Sequence, residues 1–90
     1  MARVRVAGPL KELAGGSADH NLVGATVGQL LGAFEATYPA AAGWILDERG
    51  RIRRHINVFV NGELSKEATV VAPGDHVDVL PAISGGATNL

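Results

Sequence analysis

Gly85 and Gly86 are the residues whose type and placement best suit chemistry. They lie in the run Leu80-Pro81-Ala82-Ile83-Ser84-Gly85-Gly86-Ala87-Thr88-Asn89-Leu90. A glycine pair has no Cβ and a wide φ/ψ range, so it threads a narrow channel that larger residues would block. If Gly86 were the last residue, its carboxylate would be a handle at the tip of an arm. A carboxylate is inert until activated, and adenylation by ATP turns it into an acyl donor. Taken alone, the dipeptide reads more readily as a frayed end or a linker. Ser84 has no partner base to make it a nucleophile and reads as a small, accommodating tail residue.

Other chemistry is thinly represented. The chain has no cysteine, which removes disulfides, thiolate metal sites, iron–sulfur ligation and a thiol nucleophile. His20, His55 and His76 stand apart without metal-ligand spacing, and each reads as a surface or cross-strand residue. No metal site is expected. Arg49, Arg51, Arg53 and Arg54 form a basic cluster partly offset by Asp47 and Glu48. No aromatic residues interleave with it and the net charge is −1, so it reads as a solvated loop or, less simply, a protein-docking patch, and no nucleic-acid partner is expected.

These features need elements to hold them. Arg3–Val6 alternates polar and apolar, the period of a half-buried strand, with Val4 and Val6 inward. Gly8-Pro9 stops it, and Ala14–Ser17 reads as a turn region. Ala18–Val23 is a weaker strand, placed at a sheet edge, with Ala18, His20 and Leu22 on one face. Thr26 and Gln29 make a capping box. Val27, Leu30, Leu31, Phe34 and Tyr38 then follow the spacing of one helical face up to Pro39. Ala40–Leu46 reads as a short helical turn carrying Trp44 and Ile45 inward. Ile52, Ile56, Val58 and Val60 share a parity, Asn61-Gly62 signals a hairpin, and Glu63–Ser65 begins the return strand. After the Pro73-Gly74-Asp75 turn, His76–Leu80 alternates with Val77 and Val79 inward. Strand, strand, helix, strand, strand, strand is the order of an α+β, β-grasp (ubiquitin-like) domain: a mixed sheet of about five strands with one main helix packed on one face. The domain is expected over residues 1–84, with a flexible tail over 85–90.

Ninety residues suffice for one core but leave little spare area for a deep catalytic pocket. No apolar run nears the ~20 residues of a membrane span, and the N-terminus lacks a signal-peptide apolar region. A cytoplasmic setting without membrane contact is expected. Phe59 and Leu80 have the parity opposite to the core and, with Ile83, would form an apolar patch on the sheet face that no helix covers. Singly exposed apolar residues are also common and carry no function.

Three runs, Asn57-Val58-Phe59-Val60-Asn61-Gly62, Pro73-Gly74-Asp75-His76-Val77 and Leu80 to Gly86, resemble the ubiquitin-like sulfur carriers of the MoaD/ThiS superfamily. Thr26-Val27 opening the helix fits as well, so the resemblance spans almost the whole chain. The Leu-Pro-Ala-x-x-Gly-Gly ending is its most specific piece, and Asp47–Glu63 is similar to the cysteine-biosynthesis (CysO-type) carriers. The resemblance implies a carrier and not an enzyme. An E1-like enzyme would use ATP to adenylate Gly86, and a sulfur donor would displace AMP to leave a thiocarboxylate. A sulfur-accepting biosynthetic enzyme would consume it, toward cysteine or a secondary metabolite. Ser84, Gly85 and Gly86 would enter the partner, and Phe59, Leu80 and Ile83 would dock it. No catalytic side chain and no bound cofactor are implied. The sequence departs from the superfamily in one respect: Ala87-Thr88-Asn89-Leu90 follow the second glycine. Their removal by a JAMM-type zinc peptidase would free the handle. A molybdopterin synthase small subunit, a ubiquitin-like protein modifier and a non-covalent β-grasp adaptor stand as alternatives.

Overall fold

The computed structural model describes residues 1–81. Ile83, Ser84, Gly85, Gly86 and the four residues after them lie outside the described residues, as does the boundary between domain and tail. The elements in chain order are β1 (Ala2–Val6), α1 (Pro9–Leu13), β2 (Asp19–Leu22), α2 (Val27–Thr37), a 3₁₀ turn (Pro39–Ala41), β3 (Ile56–Val60), β4 (Glu63–Leu64) and β5 (His76–Pro81). The five strands form one mixed sheet in the order β2-β1-β5-β3-β4. β1 and β5 pair in parallel at its centre, and the other pairings are antiparallel. β2 is an edge strand, as its weak pattern suggested.

Alternation places Val4, Val6, Val58, Val77 and Val79 on one sheet face, each 1% exposed or less. The stripe Val27, Leu30, Leu31 and Phe34 of α2 is fully buried in the same core. Burying side chains of this size contributes ~1.5–3 kcal/mol each before ordering costs. The Thr26 hydroxyl accepts the Gln29 N–H at 3.2 Å, and Gln29 Oε1 accepts the Ala25 N–H at 2.8 Å. Two further N–H groups of the first turn reach the loop before β5: Val27 donates to the Thr69 carbonyl and Gly28 to that of Glu67, both at 2.9 Å. Those bonds satisfy donors that a helix start otherwise leaves free.

Asn61 and Gly62 have φ of 51° and 88°. Both therefore have the positive φ that a two-residue turn needs to match strand twist, and Val60 pairs with Glu63, Phe59 with Leu64.

Two expectations need correction. Between β1 and β2 the chain does not simply turn: α1 forms there with Pro9 in its first turn and buries Leu10. Five residues are too few to show a helical period. Trp44 does not point inward; it is 46% exposed, whereas its neighbour Ile45 is fully buried. The reason is a half-buried tether from α2. The Glu35 carboxylate accepts the N–H groups of both Ile45 and Leu46 at 3.0 Å. Gly43, with φ of 83°, turns the chain ahead of them. Ile45 and Leu46 are drawn into the core and Trp44 is left outside.

Candidate functional site

The sheet face opposite α2 carries no element among the described residues. Register builds a continuous row across it, because pairs directly opposite each other share a face. Asp19 opposes Arg5, Arg5 opposes Asp78, Asp78 opposes Phe59, and Phe59 opposes Leu64. One step nearer the end of β5, Leu80 opposes Asn57. Phe59 is half-buried, Leu80 is 41% exposed and Leu64 is 69% exposed. The face is thus charged on its β2–β1 side and apolar on its β3–β4 side. Phe59 and Leu80 stand where parity predicted. Leu64 extends the apolar part, and a two-residue Asn-Gly turn already implied it, since counting outward pairs 60 with 63 and 59 with 64.

On the charged side, the Arg5 guanidinium grips Asp19 through two bonds, Nε to Oδ1 at 3.0 Å and Nη2 to Oδ2 at 3.3 Å. That hydrogen bond holds Asp19 below the usual carboxylate range and raises Arg5 above its own. Both groups are exposed, so the pair orients more than it stabilises.

β5 leads to the glycine pair. Its last pairs, Val79 with Val6 and Pro81 with Ile56, flank it with β1 on one side and β3 on the other. Gly8 marks the same end of the sheet: with φ of 62° and ψ of −137° it occupies backbone space open to glycine, and a Cβ there would stand 3.6 Å from Pro81 Cγ. β5 therefore ends between β1 and β3 at Pro81, two residues beyond Val79 and five before Gly86 in sequence.

No group of three or more His, Cys, Asp or Glu gathers to hold a metal among the described residues. Two shallow grooves, open to solvent, lie on the surface. One of ≈ 400 Å³ is lined by Met1, Val23 and Pro73, and one of ≈ 430 Å³ by Leu64, Ser65 and Asp75. Several of the polar groups lining the second groove are committed to the fold. Ser65 Oγ donates to the Val58 carbonyl at 2.9 Å, and Asp75 accepts the Ala72 N–H at 2.8 Å and an Asn61 side-chain N–H at 3.1 Å. His20 is buried across from Val4 in β1. Its Nε2–H donates to the Ser17 carbonyl at 2.7 Å, and its Nδ1 accepts the Tyr38 hydroxyl at 3.0 Å. Its ring also packs edge-on against Phe34 and Tyr38. This histidine is a satisfied core group.

The β-grasp body, its open face and the strand leading to Gly86 are matched as a unit by the sequence model of the ThiS family, which spans residues 4–86. The chain belongs to the ThiS family. It is 32% identical over 83 residues to the sulfur carrier protein CysO of Mycobacterium tuberculosis, covering 86% of this chain and 89% of that protein. It is 39% identical over 66 residues to small archaeal modifier protein 3 of Haloferax volcanii, covering 69% and 71%. Its fold superposes with a TM-score of 0.85 on a chain of the BexX/CysO complex of Amycolatopsis orientalis, at 28% identity over 96% of this chain and all of that one. This ThiS-family member is thus a ubiquitin-like protein of the sulfur carrier and modifier kind, and among the described residues no helix is long and apolar enough to cross a membrane.

Proposed function

We propose that this protein is a sulfur carrier whose working group is the carboxylate of Gly86. The observation that carries the reading is that the family match ends on residue 86, the second glycine, and leaves Ala87–Leu90 outside. In this mechanism a zinc peptidase of the JAMM type hydrolyses the Gly86–Ala87 amide and frees the carboxylate. An E1-like enzyme then directs it onto the α-phosphorus of ATP, releasing pyrophosphate and forming an acyl adenylate. A sulfur donor displaces AMP, and the resulting thiocarboxylate passes sulfur to a biosynthetic enzyme, for cysteine or a secondary metabolite. Ser84, Gly85 and Gly86 enter the partner's channel, while Phe59, Leu64, Leu80 and Ile83 dock its surface. The chain supplies no catalytic side chain and binds no cofactor; ATP belongs to the activating partner, and the whole cycle runs in the cytoplasm.

Intact mass of the protein from its own host tests this reading. Loss of Ala87–Leu90 with an oxygen-to-sulfur increment is the expected result. A full-length mass without the increment, even with an activating enzyme and a sulfur source supplied, rejects it. Trimmed Gly86→Ala protein should fold normally yet support no ATP–pyrophosphate exchange above background.

A protein modifier is the second reading, favoured by the 39% identity to a small archaeal modifier protein. There Gly86 forms an amide with a lysine of a target, and high-mass lysine adducts in the host distinguish it from a pure sulfur carrier.

A further inference from the structure

A second surface, near the end of β5, combines an exposed tryptophan with an arginine-rich loop. Ala42, Gly43, Trp44, Arg53 and His55 line one recess of ≈ 290 Å³. Ligand pockets run from ~300 to 1,000 Å³, so the recess suits one inserted side chain better than a cofactor. Trp44 is 46% exposed, although burial of so large a side chain is the favoured outcome in a core. The loop presenting it is held on several sides. Glu35 binds the Ile45 and Leu46 N–H groups, the Arg53 guanidinium donates to the Gly43 carbonyl, and the Arg53 N–H donates to the Ile45 carbonyl at 2.8 Å. Such a platform meets a partner with little ordering cost.

Its charge says what it would meet. Residues 44–55 hold four arginines against Asp47 and Glu48, a surplus of two positive charges in a chain whose net charge is −1. Among the described residues the one ion pair within 4 Å is Arg5–Asp19, so the guanidiniums of Arg49, Arg51, Arg53 and Arg54 face no carboxylate at that range. Asp47 itself is turned to the backbone, accepting the N–H groups of Arg49 at 2.8 Å and Arg51 at 3.0 Å. Tryptophan and arginine dominate the energetics of protein interfaces. His55 adjoins Ile56, which pairs with Pro81, so the platform stands at the end of the sheet where the chain departs toward Gly86.

We infer that Trp44, Arg53 and His55 form a docking platform for an acidic segment of a partner protein, one apolar side chain of that segment seated beside Trp44 and a carboxylate on Arg53, with the other arginines of the loop adding a longer-range positive field. The platform does not depend on the chemistry at Gly86 and can be tested without it. Trp44 is the chain's one tryptophan, so its emission reports this surface alone. The experiment titrates the full chain with a synthetic glutamate-rich peptide bearing one central leucine, following Trp44 emission at low and high salt. A saturable change that weakens with salt is expected, as exposed charge pairs are screened. His55→Gln, which leaves the Arg53–Gly43 bond intact, should weaken binding by about two- to fivefold, the range of one exposed charged or polar contact. Arg53→Gln should weaken it at least as much. No emission change overturns the proposal, as does an equal response to a lysine-rich peptide, an unchanged affinity at high salt, or a response to a single-stranded oligonucleotide of matching charge without one to the peptide.

Discussion

Phe59 and Leu64 face each other across the β3–β4 pair on the uncovered sheet face, with Leu80 on β5 diagonal to Phe59. Aromatic and aliphatic neighbours at this spacing make one contiguous apolar contact, and the buried centre of such a contact carries most of the affinity of an interface. Replacing Phe59 or Leu64 with Ser should therefore raise the KM for the adenylating enzyme about tenfold, near 1.4 kcal/mol, without moving the urea midpoint by much. Val23→Ser, at a residue 69% exposed away from this face, should leave KM unchanged. Steady-state kinetics with the three variants checks this, and equal KM values for all would remove the docking role from the patch. Gly86 works by a different logic, since a methyl group there obstructs a channel whatever the affinity of the face.

The segment between α2 and β3 is ordered by side chains reaching into it more than by its own propensity. Glu35 takes two backbone donors, Glu67 takes the Ile52 N–H at 2.8 Å, and Leu46 bridges Ile52. Ile45 and Leu46 are buried, so losing the Glu35 carboxylate strands two donors away from water. Glu35→Ala is expected to cost about 1–3 kcal/mol in urea denaturation, while Glu35→Gln, which keeps an acceptor, should cost less. Trp44 emission should shift in the alanine variant even in native buffer, because the loop that positions it has lost its tether. Unchanged stability and emission would mean that Arg53 and the Asp47 turn suffice to hold the loop.

Across the molecule, three aspartates sit at the joints between elements. Asp19 ties β2 to β1 through Arg5. Asp47 closes the 47–51 turn, and Asp75 links the Asn61-Gly62 hairpin to the turn before β5. All three are held below the ordinary value of 3.8. The Arg5 hydrogen bond does so for Asp19, the Arg51 N–H first for Asp47, and the Ala72 N–H first for Asp75. A depressed carboxylate stabilises the fold fully above its unfolded value, and that contribution is lost as pH falls through the lower folded value. The urea midpoint should hold steady down to about pH 5 and then decline as acid is added further. Asp75→Asn should show a shallower decline; an identical slope would exclude Asp75 from the acid response.

Much of this architecture was legible locally. A period of two places Val4, Val6, Val77 and Val79, a helical stripe places Leu30, Leu31 and Phe34, and Asn61-Gly62 dictates its hairpin because few residues tolerate positive φ. The outward parity of Phe59 and Leu80 and the glycine pair itself needed no coordinates. Other features depend on groups distant in sequence, which no local pattern encodes. Leu10 becomes core because α1 packs against the 3₁₀ turn after α2. His20 is buried because Ser17 and Tyr38 satisfy its ring. Trp44 is expelled because Glu35, ten residues from Ile45, claims the backbone beside it. Periodicity and turn chemistry act over a few residues and are written in the chain; which buried donors find acceptors, and so which large side chain is left at the surface, was decided only when the elements packed.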